Sequence, residues 1–405
     1  MNYKLVRNCR ICDSKLTKLF SISPQYIAST FVKNNKPTTK IPMTPMLCQK
    51  CGLVQLKETV NPELLYKNYF YRSNVSDTMK LDLQNVVDEV QKQAKGFPYS
   101  VGNRVLDIGC NDGLMLTMFN GAIVVGIDPA TNIKPVRNDL NIITDYFPSR
   151  KIEGDFDIIT CTACFYDFPE PNMAVQEMKR LLDEDGVICI QVSYLYDTIK
   201  DMNFYDFVHE HLEYYSLETL MYLMNKNGLE VFDASTNFVN GGSLRIMICH
   251  KGARKQSANL EYLLLKERLM RLRSKKTYKI FSDLIKAAAK KVSDYIRSQK
   301  GLVIALGAST KGNVLLQLCG LTKKDIPYIS ERATHKIGLR NLGLDMKLIS
   351  EEEARKKKPV CMFVIPWNFK AEIVEREKEY IKQGGKLLFI MPYPYILDRE
   401  GEYRL

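Results

Sequence analysis

Apolar positions along this chain follow two rhythms. Continuous apolar runs at 104–108, 122–127, 156–161 and 187–192 alternate with segments of helical spacing. Such runs predict buried strands, and their alternation with helices predicts a doubly wound, mostly parallel α/β sheet. Glu230 to Cys249 reads as two more strands around Asn240-Gly241-Gly242, a hairpin that closes the sheet. Upstream, Leu81, Val86, Val87 and Val90 recur at helical spacing and predict helices over 62–97. Downstream, a charged stretch over 253–299 carries leucines at 260, 263, 264, 269 and 272 and predicts a helical bridge. Leu302–Gly307, Val360–Ile365 and Leu387–Ile390 predict the strands of a second, smaller α/β domain. Pro24, Pro37, Pro42 and Pro45 break any long element near the start. The expected organisation is a cysteine-paired domain at 1–60, a helical connector at 61–97 and the main α/β domain at 98–252. A helical bridge at 253–300 and the second α/β domain at 301–405 follow.

Composition narrows this picture. A chain of 405 residues predicts two or three domains. No segment approaches the ~18 apolar residues of a membrane span. Met1 to Cys12 has no apolar signal core, so a cytoplasmic protein is expected. The 11 cysteines are an odd number scattered through expected core strands, which fits reduced thiols. The net charge of +12 favours an anionic partner, although the basic runs Arg254 to Lys291 and Arg355 to Lys358 also read as solvated helical faces. Oligomeric state stays open, leaning to a monomer.

Candidate chemistry starts at Asp107-Ile108-Gly109-Cys110-Asn111-Asp112-Gly113, followed by Gly126-Ile127-Asp128. This reads as a strand, a glycine turn, a helix, and a second strand ending in an acid. Glycine lets backbone approach a ligand, and a strand-end acid can grip ribose hydroxyls. Asp128 stands 19 positions after Gly109, near the roughly 20-residue offset such pairs show. The turn is not Gly-x-Gly-x-x-Gly, so a nucleoside without pyrophosphate is expected, S-adenosylmethionine first. Cys9-x-x-Cys12 and Cys48-x-x-Cys51 form two knuckles suited to one tetrahedral zinc. Four thiolates leave no open position, so that Zn²⁺ is expected to be structural. His209-Glu210-His211 follows the fourth core strand and should lie beyond the carboxyl edge of the sheet, where ligands bind. Its i, i+2 spacing is not that of a zinc helix, and imidazole is the natural proton carrier near neutral pH. Gly307-Ala308-Ser309-Thr310-Lys311-Gly312-Asn313 places small residues and a lysine at a helix start, suited to a diphosphate.

At these motifs the chain resembles the zinc-containing sugar C-methyltransferases, S-adenosylmethionine-dependent enzymes that act on nucleotide-linked keto-deoxysugars. The cysteine quartet, Tyr69-Phe70-Tyr71-Arg72-Ser73, the Asp107–Gly113 turn and Gly126-Ile127-Asp128-Pro129 carry the likeness. So do His209–Ser216, Asn240–Arg245, Gly307–Asn313 and Pro366-Trp367-Asn368-Phe369, in the same order. The resemblance implies a class I methyltransferase core between a zinc domain and a C-terminal α/β domain. It places proton abstraction on His211, with Glu210 as partner or alternative base. His209, a tyrosine such as Tyr71 or an ordered water would donate to the enolate oxygen formed beside a 4-keto group. Cofactor contacts are expected from Asp107, Gly109, Asn111, Asp112, Gly113 and Asp128, with Asp145 and Tyr146 beside the adenine. Tyr69, Asn240, Ser309, Lys311 and Asn313 are expected to hold substrate. Val208 stands where sugar-methylating members often carry Tyr, and Tyr69, Tyr71 or Tyr214 is expected to stand in. Two rivals remain, an RNA methyltransferase and a non-catalytic S-adenosylmethionine-binding scaffold. The first lacks interleaved aromatic and basic residues, so nucleic acid is an unexpected partner.

Overall fold

The computed structural model describes residues 2–34, 38–67, 69–75, 77–94 and 102–405. The expected connector boundary at 97/98 lies outside these. The chain divides into two compact units, each assembled from three segments. Residues 1–18, 46–196 and 210–274 form the first, and 19–45, 197–209 and 275–405 the second.

The first unit is built on a seven-stranded sheet. Its order is Asn141–Thr144, Ile123–Asp128, Arg104–Ile108, Phe156–Thr162, Leu182–Ser193, Ser243–His250, Leu229–Asn237. The first five strands pair in parallel, and the last two add the expected antiparallel hairpin. Strand Arg104–Ile108 has a neighbour on each side from a later part of the chain, so its carboxyl end is the switch point where such sheets open a crevice. Leu106, Ile159, Ile188 and Ile190 are fully buried, which explains why these strands read as unbroken apolar runs.

Helix Asp77–Gln93 covers one face with Leu83, Val86, Val87 and Val90. Leu81, expected on that face, points to solvent at 73% exposure, because the buried stripe starts from Met79 and Leu83 instead. The helix expected after the glycine turn is only a 3₁₀ turn, Met115–Met118. The charged stretch is two helices, Ala258–Met270 and Lys275–Ser298, broken where Arg271 turns left-handed (φ 55°). The two helices belong to different units.

The cysteine-paired segment of the first unit forms a small ribbon of four strands. Its order is Glu213–Tyr214, Val54–Leu56, Pro45–Cys48, Leu16–Lys18. The second unit carries a nine-stranded sheet among its described residues. Val303–Leu306 lies between Cys361–Val364 and Tyr328–Glu331, with parallel pairing on both sides. Its far edge strand, Phe31–Val32, comes from the N-terminal region and pairs with Arg340–Asn341. Among the described residues no helix is long and apolar enough to cross a membrane.

Candidate functional site

The switch point is closed by a tight set of backbone bonds. Gly109 takes φ 74°, and a Cβ there would lie 2.5 Å from the Cys164 Sγ, so only glycine fits. Gly109 N–H donates to the Ile127 carbonyl at 2.8 Å, locking the turn to the neighbouring strand. Asn111 turns left-handed (φ 52°), and its N–H donates to Asp128 Oδ2 at 2.9 Å. Asp128 Oδ1 accepts from Ala130 N–H at 2.9 Å, so the carboxylate is held fixed at the strand end with lone pairs to spare. Asp112 accepts from Leu114 and Asn74 N–H. Asp107 is buried beneath, takes a 2.8 Å hydrogen bond from Thr160, and is pushed up to about 7 by burial. Gly113 (φ 74°) ends the turn against Leu140 and Ile142.

The segment Tyr69–Ser73 straps this turn from outside. Arg72 Nη1 donates to the Tyr69 and Tyr71 carbonyls, and its Nη2 to the Asn132 carbonyl at 2.9 Å. Ser73 N–H donates to Asn111 Oδ1 at 3.1 Å, and Asn111 Nδ2 donates to the Tyr71 carbonyl at 3.3 Å. Tyr71 keeps its side chain 42% exposed. Asp145 follows the edge strand, but its side chain faces Lys151 at 3.1 Å and Ser149 at 2.9 Å, and Tyr146 beside it is partly exposed.

Beside the turn stands a cluster that joins the His-Glu-His motif to the sheet edge. Strand Phe156–Thr162 ends in a short 3₁₀ turn, Phe165–Asp167. The Tyr166 ring packs on the His211 ring with centroids 4.1 Å apart. Leu212 N–H donates to the Tyr166 carbonyl at 2.8 Å, and Tyr66 Oη donates to the Glu210 carbonyl at 3.0 Å. Burial first, then the nearby carboxylates of Asp167 and Glu210, raise the phenols of Tyr66 and Tyr69 well above their ordinary range. Two carboxylates, two protonated phenols and one nearly buried imidazole thus gather at the carboxyl edge, next to the nucleoside-type turn. Tyr166 and Asp167 were not among the residues expected from sequence; their only signal is a place just after a core strand.

His209 falls in the second unit. Its Nε2 meets the Ile41 carbonyl at 3.2 Å, and burial lowers its pKa to about 4, so it stays neutral. Asn240 sits in the hairpin turn with a left-handed φ of 56°. The four cysteine Sγ atoms lie within 4.8 Å of one another, with Cys9–Cys51 and Cys12–Cys48 each at 3.4 Å. A tetrahedral zinc with ~2.3 Å bonds to sulfur separates thiolates by about 3.8 Å, so the donor set fits this ion and offers no fifth group. The Cys51 thiol lowers Cys9 to about 5, which favours the first thiolate.

In the second unit the geometry of the first turn recurs. Gly307 (φ 89°) donates its N–H to the Ser330 carbonyl at 2.8 Å, as Gly109 does to Ile127. Glu331, at the end of the neighbouring strand, accepts from Ala308 N–H at 2.9 Å and Ala333 N–H at 2.8 Å, as Asp128 does from Asn111 and Ala130. Ser309 caps the following helix at Gly312 N–H, Lys311 pairs with Asp206, and Asn313 bonds to the Ala28 carbonyl and Asn341.

Comparison with known proteins follows the same plan. A zinc-binding domain model matches residues 9–66, a methyltransferase domain model 78–234, and a C-methyltransferase C-terminal domain model 238–392. C-methyltransferase NovU of Streptomyces niveus is 28% identical over 377 residues, covering 90% of this chain and 89% of its own. A ubiquinone biosynthesis O-methyltransferase of Glaesserella parasuis is 37% identical over 105 residues, 22% of this chain and 44% of its own. Among solved structures, magnesium protoporphyrin IX methyltransferase from Synechocystis aligns with 14% identity and a TM-score of 0.33. That alignment covers 43% of this chain and 82% of the other.

Proposed function

This chain belongs to the zinc-containing, S-adenosylmethionine-dependent C-methyltransferases, and we propose that it methylates the carbon beside the ketone of a nucleotide-linked keto-deoxysugar. The observation that carries this is the His211 imidazole, packed on Tyr166 among phenols and carboxylates beside the cofactor turn. Transfer to carbon first requires a carbanion, and a ketone makes the adjacent proton acidic enough for a positioned base. An oxygen acceptor would need no such base at carbon.

His211 removes that proton, and Glu210 supports the imidazolium that forms. A protonated phenol, Tyr69 or Tyr71, donates to the enolate oxygen; burial and the neighbouring acids keep Tyr69 protonated for that task. His209 is the weaker donor candidate, because its ring already meets the Ile41 carbonyl. Asp107, Gly109, Asn111, Asp112, Gly113 and Asp128 hold S-adenosylmethionine, with Asp128 on the ribose and Asp145-Tyr146 flanking the adenine. Bound there, the cofactor supplies an electrophilic methyl group on a sulfonium. The fixed turn and the strap over it align the acceptor carbon, which is where most of the rate is gained. Zinc at Cys9, Cys12, Cys48 and Cys51 is structural. Asn240, Ser309, Lys311 and Asn313 hold the substrate, with the Gly307–Asn313 turn on the diphosphate. The Glu331 clamp, built like that of Asp128, supports a nucleoside there. The likeness to the C-methyltransferase NovU, over 90% of this chain and 89% of that one, supports transfer to carbon.

The test incubates the enzyme with a panel of nucleotide-linked 4-keto-deoxysugars, with cofactor and separately in D₂O without it. The expected result is one added methyl on carbon, and cofactor-independent deuterium uptake at that same carbon. His211→Asn should lower both rates at least ~100-fold while cofactor affinity by calorimetry stays unchanged. Equal loss of rate and affinity would remove His211 from the role of base. Neither methylation nor exchange across the panel would discard the substrate class.

A further inference from the structure

Arg10 sits inside the first zinc knuckle, between Cys9 and Cys12, where an arginine ordinarily reads as surface charge. Its side chain is only 3% exposed, and its guanidinium is engaged on three sides. Nε pairs with Glu213 at 3.1 Å, Nη1 donates to the Pro169 carbonyl at 3.1 Å, and Nη2 to Thr59 Oγ1 at 2.7 Å. The Arg10 backbone N–H donates to Gln55 Oε1 at 2.9 Å, and its carbonyl accepts from Asn172 Nδ2 at 2.9 Å.

Two of these partners, Glu213 and Pro169, belong to segments of the site. Glu213 comes two residues after His211 and opens the strand that joins the zinc ribbon, pairing with Gln55. Leu56 N–H donates to the Leu212 carbonyl at 2.9 Å, so the ribbon ladder starts directly beside His211. Pro169 closes the turn that carries Tyr166 and Asp167. One side chain therefore holds the strand that delivers the imidazole and the loop that delivers the ring beneath it. Glu213 is buried to 1%, and a carboxylate removed from water needs a fixed cation. Only a guanidinium presents several donors in a rigid plane; an ammonium reaches one or two of these partners, not all three.

We propose that Arg10 is a positioning residue for His211, passing the fixed geometry of the zinc knuckle to both the Tyr166 turn and the His211 strand. This rests on the reading of His211 as the base. Arg10 touches neither substrate nor cofactor; it acts through Glu213 and Pro169.

The test uses the zinc-loaded full chain as wild type, as Arg10→Lys, and as Arg10→Gln/Glu213→Gln, which leaves no unpaired buried charge if the single variant folds poorly. Zinc per chain, amide hydrogen exchange by mass spectrometry, cofactor affinity, kcat and KM are measured on each. Both variants should keep one zinc per chain. Exchange should quicken in peptides spanning 163–170 and 208–216 and stay slow at 46–53. A displacement of about 1 Å is enough to lower turnover by about 100-fold, so kcat and cofactor-independent deuterium uptake should fall by that order while KM and cofactor affinity hold. Wild-type kcat in a zinc-loaded variant overturns the proposal, as does unchanged exchange in both peptides. A kcat loss that tracks zinc loss in both variants overturns it as well. If the wild type turns over no keto-sugar, the substrate reading alone fails, and the exchange pattern still decides whether Arg10 holds the two segments.

Discussion

In the proposed cofactor site, Asp107 is expected to contribute a pH dependence near neutrality. Burial raises its carboxyl from 3.8 to about 7, against the hydrogen bond from Thr160, and the Asp128 charge adds to the rise. A folded pKa above the unfolded one means that the stability linked to this group is fully present below pH 3.8 and lost as pH rises through about 7. A cation bound beside it has the opposite preference and favours the carboxylate. Affinity for S-adenosylmethionine should therefore rise from pH 5 to pH 8, with proton release on binding at the acid end. Calorimetry in buffers of different ionisation enthalpy measures that release, and Asp107→Asn should flatten the slope; an unchanged slope would place the cofactor's ammonium elsewhere. Gly109 and Asp128 were legible because a turn with no room for a Cβ demands glycine, and a strand end facing backbone N–H groups demands an acid. Tyr166, Asp167 and Arg10 were not, since nothing local distinguishes them. Their roles arise only when distant segments meet.

Helix Asp77–Gln93 is fixed to the sheet by a buried polar network. Arg245 is 1% exposed and reaches Asp82 at 3.1 Å, Glu89 at 2.7 Å, Asn85 at 2.8 Å and Gln191 at 2.7 Å. Gln191 in turn donates to Asp82, and Asn237 bonds to both. Truncating one partner of such a network strands the others in a dry site, at a cost of about 3–5 kcal/mol. Arg245→Met should thus lower stability by that order in urea titration, far more than Arg137→Met, whose partner Asp139 lies on the surface. Equal losses would mean that the network is open to water. Arg245 belongs to the Asn240–Arg245 motif, and its place here is to anchor a helix. The central strands were legible because burial on both faces makes them continuously apolar. The edge strand Asn141–Thr144 was not, because only two of its four residues are apolar and none is buried. Tyr328–Glu331 escaped for a similar reason, its alternation broken by the buried Ser330.

For the molecule as a whole, zinc is expected to act on stability and on chemistry at once. Binding of a structural zinc amounts to roughly 10–16 kcal/mol in small zinc domains, and here the ribbon it staples also pairs with Glu213–Tyr214 beside His211. Chelation should lower the melting temperature and abolish methyl transfer, and added Zn²⁺ should restore both; scanning fluorimetry with an activity assay on the same sample reads this. Retained activity in metal-free protein would show that the ribbon holds its shape through packing alone. The domains expected from sequence are consecutive blocks, because periodicity reports elements one after another and carries no information on distant pairing. The short strand Phe31–Val32 illustrates this, since two residues give no pattern, yet they complete the edge of a sheet whose other strands lie more than 270 residues further on. The chain crosses between its two units at 18/19, 45/46, 196/197, 209/210 and 274/275. For the gene, this interleaving is a constraint on inheritance. A recombination with a single breakpoint, even one at 274/275, would combine segments 19–45 and 197–209 of one parent with the remainder of that unit from the other. No single crossover can therefore exchange either unit whole for a homologue's.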